Sequence, residues 1–79
     1  MELPQILGRN VRDARKRLGI SQEALALETD MKRSYVSDLE RGIRNPTVKA
    51  IARLAAALGV LPASLLEIPS DASWDPPSV

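Results

Sequence analysis

The sequence predicts an all-α domain of five short helices, and three observations carry that reading. Apolar residues recur at helical spacing in successive segments, with no alternating strand pattern between them. Cap and stop residues bracket the segments, with Ser21 and Thr47 ahead and Gly19, Gly42 and Gly59 behind. Phenylalanine is absent, and Tyr35 and Trp74 are the only aromatics. Alanine, leucine, isoleucine and valine must therefore build the core, which suits closely packed short helices.

The first helix is expected over residues 3–18. Leu7, Val11, Ala14 and Leu18 repeat at i, i+4, i+7 and i+11, which makes one apolar stripe. Pro4 suits a first turn, and Gly19 stops the helix. Arg9, Arg12, Arg15, Lys16 and Arg17 fill most of the remaining positions. The second helix, 21–29, opens on Ser21 and turns Leu25 and Ala26 inward. Asp30 follows where the chain should pass through a left-handed conformation, which aspartate tolerates. A third helix, 33–41, places Tyr35, Val36 and Leu39 on one face and ends at Gly42. After the loop "GIRNP", Thr47 caps a fourth helix, 47–58, with Val48, Ile51, Leu54, Ala55 and Leu58 on its apolar face. "LPASLLEI" gives a short fifth helix, 62–67, with Pro62 in its first turn. Composition changes at Pro69, so residues 1–68 are expected to form one domain and 69–79 an acidic, proline-rich tail.

Composition excludes several kinds of chemistry. The chain has 79 residues and no cysteine or histidine, so thiolate or imidazole metal sites, Ser-His triads and histidine acid–base catalysis are excluded. Neither a cofactor site nor a small-molecule effector site is expected, and an enzyme is not expected. No apolar run approaches the ~20 residues of a membrane span, and the N-terminus lacks signal-peptide order, so a cytoplasmic protein with no membrane partner is the expectation. Net charge is only +1, but it is unevenly distributed. Residues 1–66 hold all eleven Lys and Arg and seven of the ten Asp and Glu, a balance of +4, whereas Glu67, Asp71 and Asp75 make the remainder −3.

The third helix starts unusually. Lys32 and Arg33 stand where a helix prefers Ser, Thr, Asp or Asn and a negative charge. Each cation there opposes the helix dipole by roughly 0.3–1 kcal/mol. A helix N-terminus with free N–H groups and two cations is, however, suited to anions. The helices at 21–29 and 33–41 are joined by about three residues, the spacing of a helix-turn-helix, whose first helix braces and whose second enters the major groove. "GISQEALALETDMKRSYVSDLERGIRNPT", and within it "ISQEALA", "YVSDLERG" and "NPT", resembles the DNA-binding domain of the phage repressor and Cro family. The likeness runs from about Val11 to Leu66, and the chain's size is similar to that of restriction–modification controller proteins and small phage repressors. Two positions depart from the family pattern. Asp30 replaces the common turn glycine, and Lys32 replaces the usual Ser or Thr cap.

The resemblance implies a compact five-helix domain, double-stranded DNA as partner, and a homodimer on a (pseudo)palindromic operator. Helical geometry turns Arg33, Ser34, Ser37 and Asp38 outward. The resemblance gives the positions of Arg33, Ser34 and Asp38 to base reading, with Arg33 forking onto guanine. Asp38 has two readings, as an acceptor from cytosine N4 or as an orienter of Arg33. Gln22, Lys32, Arg41, Arg44 and Asn45 are the expected phosphate contacts. The resemblance makes Arg15 and Glu40 a partly buried structural ion pair. Leu61, Leu65, Leu66 and Ile68 are the expected dimer surface, some of them shared with the core. Trp74 has three readings: packing across the dimer, docking on the domain, or recognising another protein. The last gives the alternative function, an antitoxin-like interaction module whose tail binds a partner protein.

Overall fold

The computed structural model describes residues 1–78. Four α-helices, α1 (Leu3–Leu18), α2 (Gln22–Thr29), α3 (Arg33–Glu40) and α4 (Val48–Leu58), are followed by a 3-10 turn, Pro62–Leu66. The described residues contain no strand. α1 packs on α3, α4 and the 3-10 turn, and α2 packs on α3 and α4. Between them lie Leu7, Val11, Ala14, Leu25, Ala26, Val36, Leu39, Leu54, Ala55, Leu58 and Leu65, so every element supplies the core. Full burial of each leucine or valine contributes about 1.5–3 kcal/mol. None of the helices is long and apolar enough to cross a membrane among the described residues.

The caps explain the boundaries. Ser21 Oγ accepts from the Ala24 N–H at 3.0 Å, and Thr47 Oγ1 accepts from the Ala50 N–H at 3.0 Å. At the start of α1 the Glu2 N–H donates to Gln5 Oε1 at 3.0 Å. Asp30 has φ 56°, and among the described residues it is the only non-glycine with positive φ. That left-handed turn lets the Met31 N–H reach the Ala26 carbonyl at 2.9 Å and close α2. It also sets the short connection into α3.

Four features differ from expectation. The fifth helix is a 3-10 turn, because the Ser64 N–H (3.0 Å) and Ser64 Oγ (2.7 Å) both donate to the Leu61 carbonyl. Leu18, placed on the apolar stripe, is 51% exposed as the last residue of α1, just before the Gly19 cap. Val48 is 84% exposed, because as the first residue of α4 it projects beyond the core. Conversely, Ile6 is fully buried although the stripe omitted it.

α1 and α3 approach closely at Gly8. A Cβ built there would lie 2.3 Å from the Leu39 carbonyl oxygen and 2.8 Å from that of Glu40. Glycine is required because two backbones meet, not because of an unusual φ.

The segment after the 3-10 turn returns along α1. Asn10 Nδ2 donates to the carbonyls of Leu65 (2.9 Å) and Glu67 (2.8 Å). Arg9 Nη2 donates to both oxygens of Asp71, at 2.8 and 3.0 Å. The Asp75 N–H donates to the Met1 carbonyl at 2.9 Å. Trp74 lines a pocket with Leu3, Pro4 and Pro77. Hydrogen bonding from Arg9 holds the Asp71 carboxyl below its ordinary pKa.

Candidate nucleic-acid interface

The recognition-type helix α3 buries Val36 and Leu39 and exposes its first turn. Lys32 is its N-cap and makes no side-chain cap bond, so the first N–H groups of α3 have no side-chain acceptor there. Lys32, Arg33 and Ser34 are exposed, and Ser37 is half-buried one turn on. Among the described residues neither Lys32 nor Arg33 has an ion-pair partner, so the two charges and the helix dipole add at this end.

The far end of α3 carries a second basic group. Gly42, at φ 80°, reverses the chain, and the Ile43 N–H donates to the Asp38 carbonyl at 3.1 Å. The loop then brings Arg44 back beside α3. Arg44 Nη2 donates to Asp38 Oδ2 at 3.1 Å, and its guanidinium lies over the Tyr35 ring, 5.4 Å from the centroid. Arg41 Nη1 is 3.6 Å from Asp38 Oδ1. Asp38 therefore pairs with Arg44 and Arg41, and not with Arg33, the partner the sequence reading allowed. Arg33 extends from the exposed first turn, whereas the glycine reversal delivers Arg44 to the carboxylate. Asn45 is exposed in the same loop. Tyr35, read from the sequence as an inward residue, is half-buried and forms the platform under Arg44. Its spacing signalled the inner face. The partner from the loop left no periodic signal.

Beneath this surface a polar network ties the two helices of the motif to α1. Arg15 Nε donates to Glu40 Oε2 at 2.7 Å, Arg15 Nη2 to Glu40 Oε1 at 3.1 Å, and Arg15 Nη1 to the Ile20 carbonyl at 2.9 Å. The side chains are only 11% and 4% exposed, respectively. Hydrogen bonding to Glu40 raises the Arg15 pKa further, against the opposing effect of burial. Gln22 Nε2 also donates to Glu40 Oε1, at 3.1 Å. The Gln22 side chain, expected to be free for a phosphate, is thus anchored, with one amide N–H and the start of α2 left outside the network. No buried side-chain polar atom among the described residues lacks a partner.

The expected dimer residues divide. Leu61, Leu66 and Ile68 are exposed, but Leu65 is 1% exposed and packs in the core. The 3-10 turn points Leu65 inward against α1 and α4, so it is not available to a second copy. Leu18 and Ile68 line a groove between the end of α1 and the returning chain, which the sequence reading did not identify.

Comparison with known proteins agrees with this geometry. A helix-turn-helix family model matches residues 11–65. Control protein C.BamHI of Bacillus amyloliquefaciens is 44% identical over 63 residues, covering 78% of each chain. The crystal structure of the hypothetical transcription factor NHTF from Neisseria superposes with TM-score 0.82 at 40% identity, over 87% of this chain and 79% of that one. That of the restriction-modification controller protein C.Esp1396I, a tetramer in complex with its natural 35 base-pair operator, gives TM-score 0.72 at 28% identity, over 80% and 83% of the two chains. An exposed α3 set on a buried Arg15–Glu40 brace, and likeness over most of the chain, lead to one assignment: the chain belongs to the helix-turn-helix family of the phage repressor and Cro type, and is a transcriptional regulator with a DNA-binding domain.

Proposed function

We propose that this regulator binds double-stranded DNA sequence-specifically, as a homodimer on a (pseudo)palindromic operator, with α3 in the major groove. The observation that carries the reading is the first turn of α3, where Lys32, Arg33 and Ser34 stand exposed and unpaired at an open helix N-terminus. Arg33 presents a fork to guanine O6 and N7, and Ser34 and Ser37 bond to neighbouring base edges or phosphates. Lys32, Arg41, Arg44 and Asn45 take phosphates on either side, as does Gln22 through the start of α2. These contacts belong to residues 1–68, acting in the cytoplasm and without cofactor or effector. Leu61, Leu66 and Ile68 supply the apolar surface for the second copy. The assembly of C.Esp1396I on operator DNA supports both the DNA partner and a multimeric complex.

Random-oligonucleotide selection with the purified chain, read together with its mass in solution, tests this. The expected result is a symmetric motif whose half-sites lie about 34 Å apart, bound by two copies. An asymmetric motif bound by one copy would defeat the dimer, and no motif would defeat sequence-specific binding. The tail-binding alternative predicts instead that removing residues 69–79 leaves DNA binding intact and abolishes a complex with another protein.

A further inference from the structure

On α3, the feature this reading leaves unused is the carboxylate in the midst of its arginines. A negative charge on a phosphate-facing surface weakens binding unless it does something else there. Asp38 is half-buried; its Oδ2 accepts a hydrogen bond from Arg44 at 3.1 Å, and its Oδ1 lies in ion-pair range of Arg41 at 3.6 Å. Tyr35, one turn earlier on the same helix, places its ring under the Arg44 guanidinium. A loop arginine normally has several free torsions and loses that freedom on meeting a phosphate. Here two contacts from α3 restrict it before any partner arrives.

We infer that Asp38 is a positioning residue: with the Tyr35 ring it presets Arg44 on the body of α3, so that loop and recognition helix meet DNA as one rigid unit. The inference rests on the DNA-binding reading above. It separates Asp38 from the base-reading role, because a carboxylate already engaged by two guanidiniums is a poor acceptor for cytosine N4. It also gives the carboxylate a use in discrimination. On non-specific duplex, where α3 is not seated, Asp38 competes with phosphates for Arg41 and Arg44. On the operator, the preset Arg44 meets its phosphate without further ordering. Asp38 therefore lowers non-specific affinity more than specific affinity.

Two measurements on the full chain test it. In the free protein, nitrogen relaxation of the Arg44 Nε–H group should show restricted motion that is released in Asp38→Asn, while Arg33 is unchanged. Equal Arg44 mobility in the two proteins would overturn the tether without reference to DNA. On the selected operator and on random duplex, Asp38→Asn should lower the ratio of specific to non-specific affinity about two- to fivefold, as expected for an exposed ion pair. That loss should shrink when Arg44→Ala is already present, leaving only the part that runs through Arg41. An undiminished loss in the Arg44→Ala background, or a changed base preference at one position, would overturn the positioning role. If the wild-type chain selects no motif, the DNA-binding reading fails and takes the positioning role with it, whatever the tether shows.

Discussion

Replacing Glu40 by alanine should remove much of the protein's stability margin while leaving the exposed first turn of α3 unchanged. The carboxylate is 4% exposed and accepts three hydrogen bonds, two from Arg15 and one from Gln22. Removing it leaves the Arg15 Nε and Nη2 groups and the Gln22 amide without their acceptor. Arg15 keeps only the Ile20 carbonyl. A buried charge stripped of its partner costs about 3–5 kcal/mol. At roughly 0.05–0.15 kcal/mol per residue, a domain of this length has about 4–12 kcal/mol in total. Glu40→Ala should therefore remove about a quarter or more of it and lower the melting temperature by roughly 4–8 °C for each kcal/mol lost. Urea denaturation followed by far-UV circular dichroism measures the loss. The double variant Arg15→Met/Glu40→Leu is the control, since apolar side chains of similar size in place of a buried pair are often neutral or stabilising. DNA affinity of the Glu40→Ala protein should fall in proportion to its unfolded fraction. A loss below ~1 kcal/mol, the range of exposed pairs, would refute the claim that burial makes this pair structural.

Three further outcomes follow from other contacts. Gly8→Ala should cost at least ~1–3 kcal/mol by calorimetry, because the new methyl overlaps the Leu39 and Glu40 carbonyls and must separate α1 from α3; an unchanged melting temperature would contradict that contact. Arg33→Ala should lose ~1–3 kcal/mol of operator affinity and relax preference at one base pair, checked by repeating the selection. The Arg9–Asp71 pair depresses the folded Asp71 pKa, so its contribution to tail docking is complete above the unfolded value of 3.8 and is lost as pH falls through the lower folded value. Trp74 fluorescence should then report loosening only below about pH 3.8, and Asp71→Asn should show the loosened signal at neutral pH.

What the sequence made legible was local. Ser21, Thr47, Gly19 and Gly59 act within a single turn, so spacing alone located the ends of α1, α2 and α4. Asp30 could be read as left-handed because so short a connection between two helices allows little else. Properties of paired elements were hidden. Gly8 is needed only because α3 crosses α1 at that point, which no pattern within α1 records. Asp38 found Arg44 in place of Arg33 because Gly42 folds the loop back, and a helical wheel of α3 contains no loop. Leu61, Leu65, Leu66 and Ile68 looked equivalent in sequence. The 3-10 turn then selected Leu65 for the core and left the others outside.

The carboxylates of α3 also explain why its cations remain exposed. Glu40 is taken by Arg15 and Gln22, and Asp38 by Arg41 and Arg44, so no acid on the helix is left for Lys32 or Arg33. Both stand at the positive end of the helix dipole, where each costs the free protein roughly 0.3–1 kcal/mol. A phosphate at that end reverses the sign of the interaction. Stability and binding should therefore trade against each other at Lys32. Lys32→Asp removes the cation and supplies a cap acceptor for an open N–H, a change of about 1–2 kcal/mol in favour of the folded state. The same variant puts a carboxylate where DNA phosphate would approach, and its operator affinity should fall steeply, most of all at low salt. Thermal denaturation and binding titration on one preparation decide the matter. A variant that is less stable than the parent, or that binds the operator equally well, would show that the uncapped cationic turn is not held open for an anion.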